Sequence, residues 1–280
     1  MPAAETLLAP LGRLVAVIDP AGIPALGDRW QRAVDDLVRF WLTGVQPEQL
    51  DAAVRQIELA AAHDNLEALT QLHVPALGER ELDTAMRELA AAGAAAVTAE
   101  AGAQGAPVEP APPLASSRLA DWARATARRL ADAFAATLSR EALRLLRPGA
   151  APATVGAGVR TYAAALTDTG PRVVLGGALT LAQNLGRLSV YDRPPVGWKV
   201  RLFADETLDT STCKLCKEIN GTELPTLDAA MLAYGGAGYL YCLGRERCRG
   251  TMTGVWTKLD PGDPGVQALH RVAALALEES

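Results

Sequence analysis

A mainly α fold, with an N-terminal helical region and a small C-terminal α+β module, is what this sequence predicts. Three observations carry that expectation. Apolar residues recur at helical spacing as far as about residue 191, in a chain of 280 residues that is 49% apolar and 21% charged. At "DRPPVGW" the texture changes, and short β-like runs then alternate with Gly-rich turns. All four cysteines, Cys213, Cys216, Cys242 and Cys248, fall in that last part of the chain.

The helices follow in order. Trp30, Val34, Leu37, Val38 and Trp41 make one apolar stripe over about 28–43, which Gly44 and Pro47 are expected to punctuate. Pro47 at a helix start and acidic residues behind it predict a second helix over 47–72. A third is expected over "GERELDTAMRELAAAGAAAV". Pro110, Pro112 and Pro113 end that pattern, because neither a helix nor a central strand survives them, and the segment reads as a linker. Ser117 then caps a long helix through 118–147 with Leu119, Trp122, Ala123, Leu130, Ala133, Phe134 and Leu138 on one face. Two more helices are expected, over 153–168 and 170–191, where Gly176-Gly177 either weakens the second or admits a neighbouring helix closely. Strands are expected in "WKVRLFA" and "GTMTGVWTKL", with a short helix in "TLDAAMLAYG" between them. The resulting organisation is a helical region at 1–104, a Pro/Ala linker at 105–117, a central helical region at 118–195, the cysteine module at 196–258 and a C-terminal helix at 259–280.

Composition narrows the function classes. No window reaches the ~18 uninterrupted apolar residues that span a bilayer, so no membrane association is expected. The N-terminal stretch has no basic region or cleavage site of a signal peptide, which points to the cytosol and to reduced thiols. A net charge of −5 argues against wholesale coating of nucleic acid. The 118–147 helix does carry Arg118, Arg124, Arg128, Arg129, Arg140, Arg144 and Arg147 against Asp121, Asp132 and Glu141, and a solvated face paired with nearby acids accounts for them. His63, His73 and His270 stand apart from any cysteine, serine or acidic cluster, which gives a catalytic triad little to stand on.

The cysteines are the chemically informative feature. Cys213-x-x-Cys216 can aim two thiolates at one point about 2.3 Å from a zinc ion, and Cys242 and Cys248 can close a tetrahedron from a second turn. Four sulfurs without histidine fit a structural site. A disulfide pair formed in an oxidising medium and plain packing of reduced thiols stand as the alternatives. A thioredoxin-like dithiol lacks its βαβ setting here, and a nucleobase deaminase lacks its upstream His-x-Glu and has Thr212 in place of proline. Ser211-x-x-Lys214 overlaps the cysteine turn without the companion elements of an acyl-transfer site, and Asn220-Gly221-Thr222 reads as a turn.

The order of residues around the cysteines resembles the phage Mu protein F-like minor head proteins. Their pattern is an Asn-x-x-Arg helix, an Asp-x-x-Thr-Cys-x-x-Cys core followed by a glycine, and a closing His-Pro-x-Cys-Arg-Cys. Asn184, Arg187, Asp209, Thr212, Cys213, Cys216, Gly221, Cys248 and Arg249 occupy matching positions within about 155–258. The closing element departs: Arg245 stands at the histidine and Gly250 at the last cysteine, so Cys242 substitutes from another spacing. The resemblance implies a bacteriophage minor capsid protein, a head morphogenesis factor associated with the portal or the inner capsid during assembly, inside the virion head. The expected partners are portal or major capsid protein, with packaged DNA as a further candidate, and zinc as the cofactor.

In that reading the protein is structural, not an enzyme. Asp209 and Thr212 shape the turn that presents the first cysteine pair, and Asn184 with Arg187 anchors the preceding helix to it. The runner-up is a nucleic-acid-binding zinc module using Arg124, Arg128, Lys214, Lys217, Arg245 and Arg247 on phosphates. A third possibility, a hydrolase, requires metal-dependent turnover.

Overall fold

The computed structural model describes residues 23–110, 116–208 and 210–260. Asp209, the Pro112-Pro113 part of the linker and the expected helix beyond residue 260 lie outside the described residues. The protein is mainly α with a small three-stranded antiparallel sheet. Its elements are α1 (Ile23–Phe40), α2 (Gln46–Ala62), α3 (Leu66–Thr70), α4 (Glu79–Ala103), α5 (Ser116–Leu145), α6 (Pro152–Ala164), α7 (Thr169–Tyr191), β1 (Trp198–Asp205), α8 (Lys214–Ile219), β2 (Glu223–Leu224), α9 (Leu227–Tyr234) and β3 (Thr251–Lys258).

The described residues form two compact units, one of 30–88 with 116–179 and one of 23–29, 89–110, 180–208 and 210–260. This division differs from the boundaries suggested by composition. It falls inside α4 and α7, because a helix of more than twenty residues can lend different turns to different cores.

In the first unit, α1 buries Val34, Leu37 and Val38, as its stripe predicts. Gly44 and Pro47 do not end the helical path. The chain runs through a π-turn at Trp41–Val45 straight into α2, with the Gln46 N–H bonded to the Trp41 carbonyl. A widened turn removes the conflict between the Pro47 ring and the preceding carbonyls, so the helix survives its proline. The expected helix over 47–72 is instead two. Asp64 takes a positive φ of 51°, and the Asn65 side chain accepts from the Ala68 N–H at 3.0 Å, starting α3 afresh. Ile57, Leu69, Leu138, Val159 and Ala163 form the core shared by α2, α3, α5 and α6. On α5, Leu119, Ala123, Leu130, Phe134 and Leu138 are buried as expected, whereas Trp122 and Ala133 are exposed. The helix starts at Ser116, so Ser117 lies inside the first turn instead of capping it. Gly176 does admit a close neighbour: a Cβ there would meet the Trp30 ring at 3.2 Å.

In the second unit, α4 and α7 pass backbone to backbone. A side chain on Gly186 would collide with the Ala90 carbonyl, and one on Gly93 with that of Gln183. The sheet order is β2-β1-β3, with Trp198 opposite Lys258 and Leu202 opposite both Gly254 and Leu224. Met252, Gly254 and Trp256 turn to the buried side of β3, the alternation a half-buried strand requires. Met252 and Trp256 join Val97, Leu188, Tyr191, Leu202 and Tyr234 in one core. The chain entering the linker is docked. Gln104 donates to the Gly254 carbonyl and accepts from the Trp256 N–H, both at 2.9 Å, and Ala106 is buried. A side-chain amide here serves the unpaired edge of β3 as a short strand would.

Candidate metal centre

Both cysteine pairs are presented by turns bolted to the sheet. After β1, the Thr212 hydroxyl donates to the Thr207 carbonyl at 2.6 Å and closes the turn before Cys213. Cys213 occupies the N-cap position of α8, and Cys216 lies one turn inside it. Behind α8, Gly221 takes a φ of 74°, its N–H bonds the Ala204 carbonyl at 2.8 Å, and the Asn220 side chain accepts from the Glu206 N–H at 2.8 Å. Asn220-Gly221-Thr222 is thus the turn that ties the first pair to the end of β1.

The second pair sits in a tighter fold of backbone. Arg245 takes a positive φ of 48° and opens a 3-10 turn over Arg245–Arg247 that delivers Cys248. The Gly244 N–H points at the Cys242 sulfur and the Tyr239 N–H at the Cys248 sulfur, each at 3.3 Å. Gly238, with φ of 88°, keeps this approach open, since a Cβ there would fall 2.7 Å from the Cys248 Sγ. Amides aimed at sulfur stabilise negative charge on it, the arrangement that supports a metal-bound thiolate.

The four sulfurs gather in two overlapping groups that share Cys216. All four cysteines are free, with Cys213 half-buried and the others buried. Sγ of Cys213 lies 3.8 Å from that of Cys242, and Sγ of Cys216 lies 3.8 Å from that of Cys248. A disulfide needs about 2.05 Å. Four bonds of about 2.3 Å in a tetrahedron put its edges at roughly 3.8 Å. Cys213, Cys216 and Cys242 place their sulfurs within 4.8 Å of one another, and Glu206, Cys216 and Cys248 do the same with their donor atoms. The cluster could hold a metal ion.

Electrostatics fit the same chemistry. Burial pushes the Cys248 thiol up to about 12 and raises Cys216, while the Cys216 backbone amide draws Cys213 down to about 7. Buried thiols packed this closely remain protonated on their own, and a cation inverts that preference by deprotonating its ligands.

Asn184 and Arg187, three apart on α7, grip the strand that follows Cys248. The Asn184 amide donates to the Gly250 carbonyl at 3.2 Å and accepts from the Thr251 hydroxyl at 2.8 Å. Arg187, 1% exposed, donates to the Met252 carbonyl at 2.9 Å and to Glu100 Oε1 at 2.6 Å. The Tyr191 hydroxyl bridges Glu100 and the same guanidinium, at 3.2 Å from each. The Glu100 charge holds the Arg187 pKa above its ordinary value against the cost of burial. Glu100, Tyr191 and Glu206 are the participants that sequence reasoning missed. The signal was a solitary acid in the Ala-rich end of α4, and an acid between a strand and Cys-x-x-Cys.

The basic residues divide between the cysteine module and α5. Lys214, Lys217, Arg245, Arg247 and Arg249 are exposed on the cysteine module. On α5, Arg128 is exposed, and Arg124 pairs with Asp121 at 2.9 Å and with Glu79 at 3.5 Å. No family model, curated protein or solved structure matches the chain.

Proposed function

We propose that the chain is a structural component of a phage head, a minor capsid and head morphogenesis protein of the phage Mu protein F-like kind, whose cysteines hold one zinc as a staple. One observation supports this reading above the others. Residues that carry the resemblance, spread over 184–248, converge around the start of β3: Asn184 and Arg187 on its backbone, and Cys213 and Cys216 against Cys242 and Cys248. Four thiolates without histidine suit zinc in a closed, structural site. In this reading the protein binds portal or major capsid protein inside the head and acts in assembly and in DNA packaging or ejection, without turning over a substrate. Leu232, Leu240, Tyr241 and Leu243 give the module exposed apolar surface suited to a protein partner.

The exposed Lys214, Lys217, Arg245 and Arg247 favour a second reading, binding of nucleic acid through phosphates. Salt separates the two. We expect the chain in purified, nuclease-treated heads by mass spectrometry, and its capture of portal protein to persist between about 50 and 200 mM salt, a range over which phosphate-driven binding collapses. Absence from heads, with strongly salt-dependent DNA binding, would favour the nucleic-acid module instead.

A further inference from the structure

Four thiols suffice for one tetrahedral ion, yet a fifth donor stands in the same cluster. We propose that Glu206 is a metal ligand of this centre, able to hold a divalent ion with Cys216 and Cys248 when Cys213 is not bound; the inference rests on the metal reading above. The donor atoms fall into two triads that share Cys216, one with Cys213 and Cys242 and one with Glu206 and Cys248. In a tetrahedron with metal–sulfur bonds of about 2.3 Å and metal–oxygen bonds of about 2.1 Å, the sulfur–oxygen edge is roughly 3.6 Å. Glu206 Oε2 lies 3.7 Å from the Cys248 sulfur, and the Cys248–Cys216 edge is 3.8 Å.

The carboxylate is built into place. Glu206 is 6% exposed, and the Tyr234 hydroxyl donates to its Oε1 at 2.7 Å, which leaves Oε2 facing the sulfurs. Its backbone N–H is fixed by Asn220, and Gly250 leaves it room, because a Cβ there would collide with both carboxylate oxygens. The groups around it are a phenol, thiols and the Asp205 carboxyl, none of them a cation. A buried carboxylate without a cationic partner is costly unless positive charge joins it, and a divalent ion supplies that charge. Cys213 is the least buried of the four cysteines, hence the ligand most open to exchange with solvent.

The test is cobalt(II) binding to the full chain, read by thiolate-to-cobalt charge-transfer absorption and by competition with a chelator. Wild type is expected to take one cobalt with four-thiolate absorption. C213S is expected to keep one cobalt with the absorption of two thiolates, those of Cys216 and Cys248, and C213S/E206Q to bind at least about tenfold more weakly than C213S. Equal affinity of C213S and C213S/E206Q, or no cobalt in C213S, overturns the role of Glu206 and leaves a four-cysteine centre standing. Failure of wild type to bind cobalt overturns the centre itself. Should C213S/E206Q lose its helical circular dichroism, C213S/E206D carries the comparison, since it keeps the charge and withdraws the oxygens by one methylene. Weaker binding than C213S supports the proposal, and equal binding overturns it.

Discussion

Arg187 shows how much one side chain can organise. Its guanidinium meets a carboxylate, a phenol and a strand carbonyl while wholly buried, so removing it strands the Glu100 charge in the core. Arg187→Met is expected to cost about 3–5 kcal/mol in urea unfolding, and adding Glu100→Leu to recover much of that loss, because a buried pair hurts most when half of it is left. A double change no better than the single would contradict this account. The Asn184-x-x-Arg187 pair, whose spacing of three on a helix puts both side chains on one face, was singled out in the sequence by the family resemblance alone. Glu100 was not, because the partner of a buried arginine lies 87 positions away and only the packing of α4 on α7 selects it.

At the scale of elements, contact decides where propensity is silent. Gly186→Ala is expected to destabilise by about 1–3 kcal/mol, since the neighbour it would strike is the Ala90 backbone, which cannot swing aside. Gly27→Ala, in α1 with open space around it, should stabilise by about 0.5–1 kcal/mol in the same assay. Charge also ties elements. Arg172 on α7 pairs with Asp35 on α1 at 2.5 Å and with Asp168 at 2.9 Å, and its hydrogen bond holds the Asp35 carboxyl below the usual range. A depressed carboxyl contributes stability above its unfolded value near 3.9 and loses it as pH falls through the folded one. Asp35→Asn should therefore lower stability slightly at neutral pH, leave it unchanged at the acid end where the carboxyl is already protonated, and so flatten the profile between them. Apolar periodicity made α1, α5, α7, β1 and β3 readable to within a few residues. The π-turn and the break at Asp64 were not, because each depends on local hydrogen bonding that composition does not record.

For the molecule as a whole, the mainly α class with a small α+β end followed from texture alone. The clustering of cysteines also pointed correctly to convergence, because 25 intervening residues suffice for a helix and a loop that return the chain to its first turn. The unit boundaries did not follow, since a change of composition marks where the chain loosens and a core gathers whatever turns of helix reach it. The second unit has a core centred on Met252, Trp256 and Tyr234, and the cysteine turns beyond it pack chiefly on one another and on Tyr239. A segment with so little apolar surface of its own is held by a bonded centre or not at all. Elemental analysis of chain purified under reducing conditions, paired with hydrogen exchange before and after chelation, tests this most directly. About one zinc per chain, lost together with amide protection in the cysteine turns at 210–221 and 238–250, is the expected result. Protein free of metal that keeps that protection would contradict it.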